Sequence, residues 1–312
     1  MNQPKYITMN GELVPYADAK VHVLTPTVKY GALVFEGLRA YWNSEHEQLY
    51  VVKLPEHLAR FHATIKAMRF DASYTDEELV ETVVSTLRAN EVRSDVHLRL
   101  AAYVEGTALY NSRGPISLMC AAYGRGSGPI EDKAVAAGVV SWRRISDSSM
   151  PPRLKVAANY HNARLGSIEA ETNGYDEAIF LTQQGHVAEG AGSCLMMVRD
   201  GVLVTPTRTD GILESITRQA ILDIALTLGI PTEERSIDRT ELYFASEAFF
   251  CGTGVEIAPV TSIDRLEIGD GTVGQVTRKL WARYEANARG TGEEASDWCT
   301  TVYDGDGVTD GR

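Results

Sequence analysis

Leu154-Lys155-Val156-Ala157-Ala158-Asn159-Tyr160 sets one lysine among small and apolar residues. An ammonium is poorly solvated in such company, so it loses proton affinity and its free amine becomes a nucleophile toward carbonyls. The chain has eight lysines against twenty-two arginines, and Lys20, Lys29, Lys66 and Lys279 sit among charged or polar neighbours. Taken by itself, Lys155 reads more simply as a strand-end lysine carrying its head to water. The residues downstream decide between the two readings.

Glu189, in Glu189-Gly190-Ala191-Gly192, follows an expected strand at Glu177-Ala178-Ile179-Phe180-Leu181-Thr182 and a turn around Gln184-Gly185. Pyridoxal phosphate acts as an electron sink while its ring nitrogen is protonated, so it needs an acidic partner there and a lysine at its aldehyde. A lone glutamate before glycine is more often a solvated turn residue. Farther on, Ser215 stands as N-cap to a helix whose Ile221, Leu222, Ala225 and Leu228 recur at helical spacing, with Gly229 and Pro231 ending it. The unpaired amides of such a start, with the Thr217 hydroxyl, suit a phosphate, though many helices begin this way and bind no anion.

In order along the chain, the Lys155 to Tyr160 run, the Glu189 run, Leu213-Glu214-Ser215-Ile216-Thr217-Arg218 and Gly252-Thr253-Gly254-Val255-Glu256-Ile257-Ala258-Pro259-Val260 resemble the successive motifs of fold-type IV pyridoxal-phosphate enzymes. The likeness is greatest to the branched-chain amino acid aminotransferases. Val34-Phe35-Glu36-Gly37-Leu38-Arg39-Ala40-Tyr41, the helix with His57-Leu58-Ala59-Arg60-Phe61, and the strand around Arg99 resemble that family's small-domain motifs. The resemblance runs from about Met9 to about Trp298. It implies a mixed α/β fold of two domains, a small N-terminal α/β domain and a larger C-terminal mixed α/β domain. Three glycines and a proline in Gly124-Arg125-Gly126-Ser127-Gly128-Pro129 mark the connector. The expected division is 1–123, an interdomain loop at 124–131, and a cofactor domain at 132–312.

The resemblance further implies a ping-pong transaminase of amino-acid biosynthesis. It would move an amino group between an L-amino acid, branched-chain or related hydrophobic or aromatic, and 2-oxoglutarate. Lys155 would hold pyridoxal 5′-phosphate and shuttle the proton, Glu189 pair with the pyridine nitrogen, and Tyr160 bond the phenolic oxygen. Arg60, Ile216, Thr217 and Thr253 would hold the phosphate. The substrate would meet Arg99, Tyr30 and the amides of Thr253 and Gly254, with Phe35 and Gly37 shaping the pocket and Arg39 nearby. Family members are homodimers or larger, so at least a dimer is expected. Two residues depart from the pattern: His97 replaces a tyrosine that contacts the substrate α-carboxylate, and Arg125 stands where an aromatic residue of the interdomain loop is usual. A new imidazole and a new guanidinium could favour polar, acidic or aromatic side chains. Rival readings on the same scaffold are a D-amino acid or (R)-amine transaminase, a 4-amino-4-deoxychorismate lyase, and a non-enzymatic binding protein. The Phe35-Glu36-Gly37 run speaks against the lyase, and the retained Lys155 and Glu189 against the last.

The global numbers agree. At 312 residues the chain can bury two cores, and a formal net charge of −12 disfavours nucleic acid and anionic membranes as partners. Cys120, Cys194, Cys251 and Cys299 show no metal or redox spacing and read as reduced thiols of a cytoplasmic protein; no metal is expected. The first residues lack an apolar signal core, and no apolar run is long enough to span a bilayer. Pro55 to Arg69 predicts a helix burying Leu58, Phe61, Ile65 and Met68, with Arg60 off that stripe. Thr75 and Glu78 predict a capping box, and Asp200-Gly201 a hairpin turn. In His97 to Val104, alternation puts His97, Arg99, Ala101 and Tyr103 on one face. Arg99 there reads either as a carboxylate clamp or as an exposed surface arginine. From Gly290 onward the composition predicts a loosely ordered tail, apart from a docking contact by Trp298.

Overall fold

The computed structural model describes residues 3–303. They form two compact units, one holding the residues up to Ser127 and those from Glu285 onward, the other spanning Gly128–Tyr284. Among the described residues no helix is long and apolar enough to cross a membrane.

In the first unit the chain runs through β1 (Tyr6–Met9), β2 (Glu12–Pro15), α1 (Pro26–Tyr30), β3 (Leu33–Asn43), β4 (Gln48–Val52), α2 (Leu54–Ala67), α3 (Asp76–Ala89), β5 (Val96–Val104) and β6 (Ile116–Gly124). The described strands make a seven-stranded sheet, ordered from the C-terminal strand Cys299–Thr301 through β4, β3, β5, β6 and β1 to β2. Every pairing in it is antiparallel. One cross-strand row, Glu36, Leu100, Cys120 and Thr8, lies on the face that α2 and α3 cover. Thr75 and Glu78 form the expected capping box at the start of α3. Leu58, Phe61 and Ile65 are the buried stripe of α2, while Met68, at the C-cap where the helix ends, is only half-buried.

The C-terminal segment differs from the sequence expectation in both order and membership. From Glu285 it belongs to the first unit, not to the cofactor domain. Its strand pairs with β4, Trp298 is buried, and the Trp298 carbonyl accepts from the Lys53 amide at 2.6 Å. Arg289 ion-pairs with Asp95 at 2.9 Å, and the Tyr303 hydroxyl donates to the Val92 carbonyl at 2.7 Å. Polar composition hid this order, because the stability comes from edge-strand pairing and a few anchors rather than from an apolar stripe. Residues 304–312 of the expected tail lie outside the described residues.

The second unit comprises β7 (Val135–Arg143), α4 (Tyr160–Thr172), β8 (Glu177–Leu181), β9 (Val187–Gly190), β10 (Cys194–Arg199), β11 (Val202–Thr205), α5 (Ile216–Thr227), β12 (Thr232–Glu234), β13 (Glu247–Gly252), β14 (Glu256–Ile263) and β15 (Leu266–Glu267). Its sheet runs β12-β11-β10-β13-β14-β7-β8-β9, and β9 pairs again with β10, so six strands close on themselves. Ile179, Leu181, Leu195, Met197, Phe250 and Val260 fill one side as a core. On the other side Val140, Ala178 and Phe180 receive α4. That approach depends on Gly166, where a Cβ would lie 2.1 Å from the Phe180 ring. The predicted turn is present, with Asp200 and Gly201 both at positive φ (51° and 78°), the backbone a two-residue hairpin requires.

Candidate active site

Every predicted cofactor residue except Arg60 lies in the second unit, at the ends of elements. Lys155 sits in the segment leading into α4 and Tyr160 opens that helix. The half-buried Lys155 amine donates to the Tyr160 hydroxyl at 3.1 Å and lies 5.7 Å from the centre of its ring. Of its sequence neighbours, Val156 is buried while Leu154, Ala157 and Ala158 are half-buried, so the apolar setting is partial.

Glu189 lies near the end of β9 and is buried. One carboxylate oxygen meets the Arg144 guanidinium at 2.5 Å, and the other accepts the Leu213 amide at 3.1 Å. The carboxylate is thereby fixed in orientation, and the Cys194 thiol lies 3.7 Å away. Burial first, and then the neighbouring Glu189 charge, push that thiol well above the usual thiol range. Burial likewise carries Cys251 up to about 12.

Ser215 caps α5, accepting the Arg218 amide at 3.2 Å. Helical geometry leaves the amides of Ile216 and Thr217 without intrahelical acceptors. The Thr217 hydroxyl stands 3.3 Å from that of Thr253, the residue following β13. A Cβ on Gly254 would meet nothing within 4 Å, so the approach to these groups is open. Arg218 turns away and is buried against Glu234 (2.7 Å) and the Pro206 carbonyl (2.8 Å). Side-chain bonds tie the runs together. Arg153 bonds Glu214 at 3.1 Å, Glu189 takes the Leu213 amide, and Thr217 meets Thr253. An amine beside a phenol, a buried oriented carboxylate, and a helix start with paired hydroxyls fit the aldehyde, ring nitrogen and phosphate of pyridoxal phosphate.

In the first unit the register brings Gly37 opposite Arg99, Arg39 opposite His97, and His97 opposite Tyr123, all on the face away from α2 and α3. The Arg99 guanidinium lies 3.9 Å from the centre of the Phe35 ring, a cation–π stack. His97 leans over Gly37, where a Cβ would lie 3.0 Å from the imidazole, and its ring packs on Tyr123. The expected face is thus real, and it is buried or half-buried rather than openly exposed. Arg39 is 1% exposed and donates to the Arg125 carbonyl and the Ser127 hydroxyl, both at 2.8 Å, so it braces the connector. Arg125 and Tyr30 are exposed, and the Tyr30 ring stands edge-on to Tyr110.

Arg60 has a partner that sequence reading missed. Its Nε and Nη2 donate to the two oxygens of Glu36 at 2.8 and 2.7 Å, and His57 Nδ1 bonds the same carboxylate at 2.8 Å. Burial raises the Glu36 carboxyl, but the Arg60 charge and its bonds, with those of His57, outweigh that and hold it at about 2. The signal was available, since alternation places Glu36 with Val34 and Leu38 on the helix-covered face, where a lone carboxylate needs a cation. Arg144 left no comparable trace.

Comparison with known proteins shows the family. A family model described as amino-transferase class IV matches residues 33–263. A probable branched-chain-amino-acid aminotransferase of Aquifex aeolicus is 40% identical over 297 residues, 94% of this chain and 96% of that protein. The branched-chain aminotransferase of Thermoproteus uzoniensis, solved with norvaline, has a TM-score of 0.89 at 42% identity, covering 96% of this chain and 100% of that one. The T.th. branched-chain aminotransferase, solved with N-(5′-phosphopyridoxyl)-L-glutamate, has a TM-score of 0.91 at 36% identity over 96% and 99% of the two chains. The chain belongs to the class IV aminotransferases.

Proposed function

We propose that this protein transfers amino groups between L-amino acids, branched-chain or related hydrophobic and aromatic ones, and 2-oxoglutarate. The reaction runs as two half-reactions in turn, with pyridoxal 5′-phosphate as cofactor. The observation that carries the proposal is the set of bonds in the second unit that joins Arg153 to Glu214, Leu213 to Glu189 and Thr217 to Thr253, tying together the segments that carry Lys155, Glu189 and Thr217. The names of its relatives and their norvaline and phosphopyridoxyl-glutamate ligands supply the substrate class.

When bound, pyridoxal phosphate supplies an electron sink that makes the substrate Cα–H acidic. Lys155 would be the attachment point and, as a free amine, the base that carries the proton between the substrate Cα and the cofactor's aldehyde carbon. Tyr160 accepts from that amine and orients it. Glu189 would meet the ring nitrogen, its direction set by Arg144 and the Leu213 amide. Thr253, Thr217 and the Ile216 amide would hold the phosphate. The amides of Thr253 and Gly254 would receive a substrate carboxylate; in the first unit Arg99 and Tyr30 are the groups suited to one. Phe35 and Gly37 would shape the side-chain pocket, with His97 and Arg125 setting its polarity. Arg39 would act by holding the loop that carries Arg125. A second copy of the chain would cover the exposed apolar residues Val23, Leu24, Val28, Leu109 and Tyr110.

The test is borohydride reduction of the cofactor-loaded protein followed by peptide mapping, together with a panel of L- and D-amino acids against 2-oxoglutarate and pyruvate. The label is expected on Lys155, with turnover of aliphatic L-amino acids. Lys155→Ala should lose both the label and turnover while staying folded. A label on another amine, or preference for D-amino acids, overturns the reading.

A further inference from the structure

We infer that the first unit carries a second small-molecule site, one for a phosphate monoester with a flat apolar body. It is a hollow of about 370 Å³ beyond the C-terminal end of α2, lined by His62, Ile65, Lys66, Arg69, Phe70, Ala72, Ser73, Tyr74 and Arg113. Four of these are basic and none is acidic, in a chain with 42 acids against 30 lysines and arginines. The nearby carboxylates are already engaged: Asp71 with Arg113 at 2.5 Å, Asp76 with His62 at 2.9 Å, and Glu78 with the Thr75 amide at 2.8 Å. Among the described residues neither the Lys66 ammonium nor the Arg69 guanidinium has an acceptor. A cation at a helix C-terminus is a common solvated feature, and that alone would account for Lys66. It does not account for Arg69, which lies past the helix with φ of +56°, a backbone position where glycine is the usual residue.

The wall around Arg69 is built rather than loose. Arg113 donates to the Arg69 carbonyl at 2.9 Å and to Asp71, and the Asp71 amide donates back to the Arg113 carbonyl at 2.8 Å. The floor is Ile65 and Phe70, both buried, with the half-buried Tyr74 ring beside them. The hollow falls at the lower end of the range of about 300–1,000 Å³ typical of small-molecule sites, larger than a bare inorganic anion needs. A guanidinium and an ammonium with unused donors, a second guanidinium braced beside them and the Ser73 hydroxyl match the oxygens of a phosphate, while Tyr74 and Phe70 offer a surface for a ring.

The test is isothermal titration of phenyl phosphate into protein loaded with one equivalent of pyridoxal phosphate per chain and freed of unbound cofactor, so that the cofactor's own phosphate cradle is filled and the second site is not. One site per chain is expected, weakened by salt and about 30-fold or more in a K66A/R69A double variant, as for losing two charge-assisted hydrogen bonds. Transamination and Tm should be unchanged in that variant, since both side chains are exposed. No binding, or binding that K66A/R69A leaves unaltered, overturns the site. Inorganic phosphate binding as tightly as phenyl phosphate overturns the flat body, and benzoate binding more tightly overturns the phosphate.

Discussion

Lys155 and Glu189 stand out in the sequence because each breaks its local pattern, a cation in an apolar run and an acid in a glycine run, and because both fall in the order of a family's motifs. What holds them was not legible. Arg144 reaches Glu189 from forty-five positions away, and no spacing rule joins the end of one strand to the end of another. Glu189→Gln should leave cofactor bound but slow transamination on the order of 100-fold, because the amide cannot hold the ring proton; single-turnover spectroscopy reads this directly. Unchanged rates would remove Glu189 from its assigned role. Glu36 makes a second residue-scale prediction. Its folded carboxyl titrates at about 2 against an ordinary 4.5, so its stabilisation is complete above the ordinary value and is lost as pH falls toward 2. Glu36→Gln should cost about 3 kcal/mol near neutrality, as for breaking a buried pair, and the deficit should shrink below pH 4.5. Denaturant unfolding of both proteins across that range checks it.

At the scale of elements, caps and turns were the readable part. The Thr75–Glu78 box, the Ser215 cap and the Asp200-Gly201 turn each satisfy backbone groups with residues a few positions away, so composition and spacing suffice to find them. Sheet order was not readable this way, because alternation says which face a residue takes but not which strand lies beside it. The approach of α4 to its sheet is the packing feature that matters most for the site, since α4 begins at Tyr160. Gly166→Ala would place a methyl within 2.1 Å of the Phe180 ring. Despite the better helix propensity of alanine, we expect a net loss of about 1–3 kcal/mol, seen as a lower Tm, and a displaced Tyr160 weakening its bond to Lys155. A Tm equal to or above that of the parent would show that the contact yields freely.

For the molecule as a whole, the two-unit division follows the glycine-rich connector closely, while the assignment of the last residues does not follow sequence order. Trp298 to Tyr303 complete the sheet of the first unit through strand pairing with β4, the Trp298–Lys53 backbone bond and the Tyr303–Val92 bond. Ending the chain before Trp298 should therefore destabilise the first unit, with amide exchange rising in β4 while the second unit's strands keep their protection. Hydrogen exchange read by mass spectrometry resolves the two, and equal protection in β4 would show the closing strand to be dispensable.

That topology sets an order of events on the ribosome. The residues up to Ser127 emerge before those of the second unit, yet the β4 edge of their sheet stays open until Cys299–Thr301 has been made. Meanwhile β4 exposes a row of unpaired amides and carbonyls, which a neighbouring nascent chain can take up in place of the proper strand. Slow translation of the codons leading to Thr301 would lengthen that interval, and yield of assembled protein should fall with it.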